Sequence, residues 1–299
     1  MNIVINAYAK INLTLDIFQK RADGFHSLAS IMQAISLHDT LTFKLSDRDG
    51  VQFTCNLSEN DGIPSNSDNL VVRAAMLVSE WISSKHNFST GIEIHLHKEI
   101  PSQAGLGGGS SDAAASIRGC EKVFGIKIPE KELITLASQL GSDVPFFLMG
   151  GTAKVEGRGE KITSLSSTPE LWLVVVKPDI HVSTGWAYGL LDEQKDRTSH
   201  RLTEKMAKAI SSQDYELILL LQSNDFEFPI LSHIPQLVEL QDDIRIAGAM
   251  NSHLCGSGSA FYGIAQDKSS AELIAGRLRK KYKDVYVAHT LARNEEYIS

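Results

Sequence analysis

Apolar and polar residues alternate from the start of the chain, with Ile3 and Ile5 in one stretch and Ile11, Leu13, Leu15 and Ile17 in the next. A period of two sends successive side chains to opposite faces, so both stretches read as β-strand, with Asn12, Thr14 and Asp16 on the face away from the apolar row. The alternation returns at Leu41, Phe43 and Leu45 and at Val51, Phe53, Cys55 and Leu57, bridged by the polar loop 46–50. That is the pattern of a meandering sheet. After the breaker-rich stretch 64–68 the period changes. Leu70, Val71, Ala74, Ala75, Leu77, Val78 and Ile82 form the apolar stripe of a helix capped by Ser67 or Asp68, with Asn69 in its first turn. Ile92, Ile94 and Leu96 mark a further strand.

The stretch Pro101-Ser102-Gln103-Ala104-Gly105-Leu106-Gly107-Gly108-Gly109-Ser110-Ser111 joins that strand to a run of small residues, Asp112-Ala113-Ala114-Ala115, that reads as helix. Strand, glycine-rich loop and helix start together suit a phosphate group. Glycines let backbone approach a ligand, and the free N–H groups of a helix's first turn point at the anion. The loop lacks the Lys-Ser/Thr pair of a P-loop, and Ser110 stands where a dinucleotide fingerprint has its third glycine. The helix, capped by Ser110 or Ser111, ends near Gly125, and Pro129 opens another that reaches Leu140, with Gly141 as C-cap. Glycines at 150–151 and 157–159 bracket a strand, and a domain boundary is expected here, dividing the chain into residues 1–158 and 159–299. The second half opens with a strand over 171–176 ended by Pro178. A short helix follows, led by Ser183-Thr184-Gly185-Trp186-Ala187-Tyr188, then helical patterns over 202–210, 215–222 and 234–246. A strand at 261–264, a helix over 269–282 and a strand at 285–287 fit the end of a ferredoxin-like α+β layer.

A chain of 299 residues, 42% hydrophobic and 22% charged, is long enough for two globular domains of ordinary size. Its amino terminus carries Lys10 within an alternating run, unlike the basic start and apolar block of a signal peptide, and the longest apolar runs are far too short to span a bilayer. A cytoplasmic protein with no membrane partner is therefore expected. Cys55, Cys120 and Cys255 show neither a disulfide framework nor zinc-ligand spacing, which leaves reduced structural thiols. A net charge of −7 argues against a nucleic acid partner, which needs a broad basic surface. Any anionic substrate must be held locally.

Several polar residues carry two readings. Lys10 and Asn12 project from one strand face, as a cation and an amide for a nearby anion or with Lys10 as a solvated lysine. Asp23-Gly24 marks a turn, after which Phe25 either stacks on a flat ligand beside His26 or plugs the core while His26 stays on the surface. Asp143, in Gly141-Ser142-Asp143-Val144-Pro145-Phe146-Phe147, is either a helix cap or a functional carboxylate backed by bulky apolar residues. Thr184 and Tyr188 share a helical face and either pack or meet one ligand. Gly256-Ser257-Gly258-Ser259 is a tight turn or a second backbone approach to a ligand.

Taken together, Ala9-Lys10-Ile11-Asn12, the 101–111 loop and Gly256-Ser257-Gly258-Ser259, in that order, resemble the GHMP kinase superfamily along most of the chain. That group includes galactokinase, homoserine kinase and mevalonate kinase. Arg21-Ala22-Asp23-Gly24-Phe25-His26, Ser30-Ile31-Met32-Gln33 and Gly141-Ser142-Asp143-Val144-Pro145-Phe146 resemble one branch of it, which acts on a cytidine diphosphate conjugate. The resemblance implies a two-domain α+β fold, with an N-terminal ribosomal protein S5 domain 2-like domain that binds ATP and a C-terminal ferredoxin-like domain. It implies ATP-dependent phosphorylation of the 2-hydroxyl on the methylerythritol part of that small-molecule conjugate, a step in non-mevalonate isoprenoid synthesis, with Mg2+ accompanying the nucleotide. Residue by residue, Asp143 matches the catalytic base, and Lys10 matches the cation that holds its carboxylate. Asn12 matches a contact to methylerythritol, Phe25, His26 and Tyr188 the grip on cytosine, and Thr184 a contact on the cytidine side. Asn69, Pro101, Gly105, Leu106, Gly107, Gly108, Gly109, Ser110 and Ser111 match the ATP site. The family commonly has tyrosine in place of Phe25, a change that keeps stacking and removes a phenol hydrogen bond. Two rival readings are a kinase of another small alcohol, such as homoserine or mevalonate, and a non-catalytic nucleotide-binding regulator on the same fold. The first has no need of Asp23-Gly24-Phe25-His26, and loss of Lys10 or Asp143 would have favoured the second.

Overall fold

The two alternating stretches at the amino terminus form one strand, β1 (Ile3–Lys20), and after the Asp23-Gly24 turn β2 (His26–Ser46) runs back beside it. The computed structural model describes residues 2–58, 63–86, 91–194 and 201–293. Next come β3 (Val51–Cys55), α1 (Leu70–His86) and β4 (Gly91–His97), with β3 parallel to β4 and β4 antiparallel to β2. Helices α2 (Gly108–Phe124), α3 (Glu130–Leu140) and α4 (Val144–Met149) follow, then β5 (Thr152–Gly157), paired with β2, and β6 (Lys161–Ser164), paired with β5. The remainder holds β7 (Trp172–Lys177), α5 (Thr184–Glu193), α6 (Thr203–Ser211), α7 (Tyr215–Leu220) and β8 (Ser223–Asn224), then α8 (Glu227–His233), α9 (Pro235–Ile246), β9 (His253–Leu254), β10 (Phe261–Ala265), α10 (Lys268–Leu278) and β11 (Asp284–His289). Among the described residues seven strands make one sheet, and four make a second in the antiparallel order β11-β7-β10-β9. The two-residue β8 returns to the first sheet and pairs in parallel with β1, Thr14 opposite Ser223.

Three apolar clusters hold these layers together. One packs Phe43 of β2 against Ile117 of α2 and Phe146 of α4. Another lies between the sheets, where Ile11 and Leu13 of β1 share a cluster with Leu173 and Val175 of β7 and Tyr262 of β10. The third gathers Phe261 of β10 with Leu240 of α9 and Ile274 of α10. The middle of β1 is thus buried on both faces, and Lys10, Asn12, Thr14 and Asp16 are buried along with the apolar residues between them. Buried polar groups need partners. The Asp16 carboxylate accepts from the backbone N–H of Leu202 at 3.2 Å and of Thr203 at 2.9 Å, a cap that α6's own N-cap residue does not supply. The Tyr262 hydroxyl donates to the Asn12 carbonyl at 3.1 Å and so ties the second sheet to β1.

The elements differ from expectation at several ends. α2 starts at Gly108 with Gly107 as its cap, so Ser110 and Ser111 lie inside the first turn instead of capping it. α1 starts at Leu70, and the Asn69 side chain accepts from the Val71 N–H at 2.9 Å, so Asn69 performs the capping expected of Ser67 or Asp68. Residues 227–233, which show no clear period, form α8, separated from α9 at Ile234 because the residue before Pro235 disfavours helix.

Replacing Asp16 with alanine leaves two amides without an acceptor at a site only 1% exposed. Urea denaturation of Asp16→Ala should show a loss of about 2 kcal/mol at an unchanged m-value. A loss below about 0.5 kcal/mol would mean that water serves those amides instead.

Candidate active site

β4 leads into the 101–111 loop, which brings the first turn of α2 to a cavity of about 590 Å³. No side chain caps that turn, so the amides of Gly108, Gly109 and Ser110, all lining the cavity, remain open to an anion. Two backbone bonds hold the loop in place, from Lys10 N–H to the Leu106 carbonyl at 3.0 Å and from Ala260 N–H to the Ala104 carbonyl at 3.2 Å. Gly105 has φ of +77°, and a Cβ there would stand 1.8 Å from the Cys255 carbonyl oxygen, so this crossing of two backbones admits only glycine. Pro101, Gly105, Leu106, Gly107 and Asn69 line the same cavity. Ser111 does not. Its hydroxyl donates to the Tyr8 carbonyl at 2.6 Å, fastening α2 to β1, so the side chain expected to face ATP is withdrawn from the cavity.

A smaller chamber of about 280 Å³ adjoins it, with Lys10, Asn12, Asp143, Gly105, Gly107 and Gly256 among its walls. Lys10 is 4% exposed, which rules out the solvated-lysine reading. Its ammonium donates to Asn12 Oδ1 at 2.7 Å, Asn12 Nδ2 donates to Ser30 Oγ at 2.8 Å, and the Ser30 hydroxyl donates to the Thr14 carbonyl at 2.6 Å. Asn224 braces the opposite wall, donating to the carbonyls of Gly256 at 2.7 Å and Leu254 at 2.9 Å. Asp143 occupies the cap position of α4, yet its side chain accepts none of that helix's amides. The expected ion pair between Lys10 and Asp143 is not formed: both line the chamber, but the ammonium is engaged by Asn12.

The third chamber, about 530 Å³, contains Phe25, His26, Tyr188, Asp192, Lys20 and Arg158 in its walls. The core-plug alternative is reversed, since Phe25 is 56% exposed and His26 8%. Arg158 lies over the Phe25 ring, its guanidinium carbon 4.5 Å from the centroid. The His26 ring stacks on Tyr188 with centroids 4.9 Å apart and planes at 22°, while Tyr188 meets Phe226 edge-on. His26 Nε2 lies 2.8 Å from Asp192 Oδ1, and the Lys20 ammonium donates to Asp192 Oδ2 at 2.6 Å. The hydrogen bond from Lys20, helped by that from His26, holds the Asp192 carboxyl below its ordinary pKa. Thr184, bonded through its hydroxyl to Ser257 at 2.9 Å, lines all three chambers, which therefore adjoin one another around it.

A buried cluster that the sequence did not suggest sits under the phosphate loop. The Lys98 ammonium bonds Asp39 Oδ2 and, at 2.9 Å, Asp112 Oδ2, and Asp39 Oδ1 accepts the amides of Glu99 and Ile100. Burial pulls the Lys98 pKa down, but the two carboxylates outweigh it and leave the ammonium above its ordinary value. Burial pushes the Asp112 carboxyl well up, against the pull of Lys98. Asp112 Oδ1 is buried without a hydrogen-bond partner, and the residue lines the phosphate-loop cavity. The available signal was an acid set among alanines on the buried face of α2.

The chain matches the GHMP kinases N terminal domain over residues 69–151 and the GHMP kinases C terminal domain over 206–284. It is 38% identical to the 4-diphosphocytidyl-2-C-methyl-D-erythritol kinase of Caldicellulosiruptor saccharolyticus over 96% of this chain and 97% of that one. To the protein of the same name from Clostridium tetani it is 37% identical, over 96% and 99%. A crystal structure of 4-(cytidine 5'-diphospho)-2C-methyl-D-erythritol kinase superposes with a TM-score of 0.80 at 30% identity, covering 96% of this chain and 99% of the other. Homoserine kinase from Cytophaga hutchinsonii shares the fold at a TM-score of 0.74 and 20% identity, with 96% and 94% covered.

The crossing at Gly105 makes the phosphate loop testable on its own. Gly105→Ala forces the loop off Cys255, and isothermal titration should show affinity for a nucleoside triphosphate reduced by more than about tenfold, a strain cost of at least 1.4 kcal/mol. Unchanged affinity would remove this loop from phosphate binding.

Proposed function

The chain belongs to the GHMP kinases, and we propose that it transfers the γ-phosphoryl group of ATP to the 2-hydroxyl of 4-(cytidine 5'-diphospho)-2-C-methyl-D-erythritol, a step in non-mevalonate isoprenoid precursor synthesis. The observation that carries this reading is the order of the chambers. A helix N-terminus suited to phosphates stands at one end and an aromatic cradle at the other, with Lys10, Asn12 and Asp143 in the small chamber between them. An extended substrate with a flat base at one end and an alcohol at the other suits that order.

In this reading Asn69 and Pro101 contact the adenine nucleotide, and the amides of residues 105–110 bind its β- and γ-phosphates. Phe25 offers an exposed ring for cytosine to stack on, with His26 and Tyr188 forming the rest of the cradle and Thr184 reaching the cytidine side. Asn12, held by Ser30, contacts the methylerythritol. Asp143 orients the acceptor hydroxyl and takes its proton. A loose phosphoryl-transfer transition state needs orientation and late proton removal more than early, strong deprotonation, so a carboxylate suffices. Lys10 offsets charge on the transferring group.

Among the described residues no three acidic, histidine or cysteine side chains gather into a metal cage. Magnesium bound mainly through nucleotide phosphates needs only one or two carboxylates, and the orphaned Asp112 Oδ1 beside the phosphate loop fits that requirement. Mg2+ held there would supply charge neutralisation on the phosphates. No described helix is long and apolar enough to cross a membrane, and dependence on ATP fits a cytoplasmic enzyme.

Release of ADP, measured with the cytidine conjugate, homoserine and mevalonate as acceptors, should occur with the first alone. Turnover of either other alcohol at a comparable rate would overturn the substrate. Asp143→Asn should lower turnover by at least about a hundredfold with ATP binding little changed. Near-normal turnover would exclude Asp143 from proton transfer. For Phe25→Ala, the KM of the cytidine conjugate should rise while that of ATP stays put. An equal loss of both would mean that the ring supports the fold instead of the base.

A further inference from the structure

Asp192, in the aromatic chamber, belongs to none of the motifs that point to the kinase reaction. It lies on α5 four residues beyond Tyr188, so the two side chains share one face of the helix. Its carboxylate is gripped from two sides, with Lys20 on one oxygen and His26 Nε2 on the other. The His26 side chain is 5% exposed and stacked on Tyr188, so the ring is held in one orientation. A carboxylate can only accept, so the hydrogen between Asp192 and His26 sits on Nε2. In the neutral ring Nδ1 then carries a lone pair, and no group among the described residues bonds to it.

We propose that Asp192 is a positioning residue that keeps the His26 proton on Nε2, so that Nδ1 meets the substrate base as an acceptor and selects a pyrimidine with an amino group over one with a carbonyl. The proposal rests on the kinase reading above and deepens it. Cytosine donates from its amino group, whereas uracil presents a carbonyl oxygen at the same place and would set two acceptors against each other. A site built around one hydrogen bond rejects an analogue that cannot make it, because its own buried polar group is left unpaired. Lys20 keeps the carboxylate from turning away.

The test compares wild type, Asp192→Ala and Asp192→Asn, each assayed with the cytidine conjugate and with its uridine counterpart. The 15N chemical shifts of His26, assigned by their absence in His26→Gln, are recorded in the ligand-free protein. Wild type should show the Nε2–H tautomer. Asp192→Ala should show mixed tautomers and a KM for the cytidine conjugate raised at least about tenfold, the effect of losing one charge-assisted hydrogen bond. Its preference over the uridine compound should shrink, with kcat and the KM of ATP within about twofold of wild type, since neither phosphate loop nor acceptor hydroxyl is touched. Asp192→Asn has one oxygen for the two donors, Lys20 and His26; with that oxygen on the Lys20 ammonium its NH2 meets Nε2, so this variant should shift the His26 proton to Nδ1 and likewise lose base preference. A wild-type His26 protonated on Nδ1, or an alanine variant with undiminished base preference, would overturn the proposal. A wild type that fails to phosphorylate the cytidine conjugate would instead overturn the kinase reading, and the 15N shifts would still decide the tautomer. Should Asp192→Ala not fold, the wild-type shifts and the asparagine variant decide it.

Discussion

A strand buried on both faces imposes the constraint on which the cleft depends. The middle of β1 packs Ile11 and Leu13 against the second sheet, so Lys10, Asn12 and Thr14 also lie away from water and must be paired inside the protein. The pairing runs from Lys10 to Asn12 to Ser30 and back to the Thr14 carbonyl, crossing from β1 to β2. One consequence is rigidity: the amine that faces the small chamber is held by a chain of hydrogen bonds, and the Lys10 backbone N–H donates to the loop carbonyl of Leu106. Another is that the second sheet takes part in the site: Tyr262 of β10 ties it to β1, and Asn224 of β8, in the first sheet, holds the Leu254 and Gly256 carbonyls at the turn on which the chamber closes.

The same constraint explains what the sequence could and could not convey. Alternation revealed β1, the end of β2 at 41–45, β3 and β4, and the glycine run before a small-residue helix marked the 101–111 loop, because both patterns are local, whereas the longer part of β2 from His26 onward was not read as strand. The direction of Lys10 and Asn12 from one face also follows from a period of two. What stayed hidden was long-range. Nothing near Asp16 says that its carboxylate caps a helix starting at Thr203, and nothing near Ser111 says that its hydroxyl belongs to Tyr8. The ion pair of Lys10 with Asp143, inferred from family resemblance, is not formed although both line the small chamber, and the bond the ammonium does make is to Asn12, two residues along the same strand. Phe25 and His26 carried two opposed readings, and the burial of His26 depends on α5, more than 150 residues later, whose Tyr188 and Asp192 enclose the imidazole while Phe25 stays exposed.

Two buried lysines flank the phosphate loop, and their surroundings assign them different work. Lys98 is shared by the carboxyl groups of Asp39 and Asp112, so its charge is met inside the protein, and its bonds tie the end of β4 to the first turns of α2. Its place is structural support for the loop. Lys10 has no carboxylate partner among the described residues, and only one of its three donors is taken, by a neutral amide. A buried cation without a counter-ion is costly unless an anion arrives, and the chamber it faces adjoins open helix amides. The protein as a whole carries a net charge of −7 and repels anions at long range. Binding of a phosphate-bearing ligand must therefore be won at short range, and the uncompensated Lys10 together with the dipole of α2 concentrates positive potential at the one point where a phosphoryl group would pass from the loop to the chamber of Asp143.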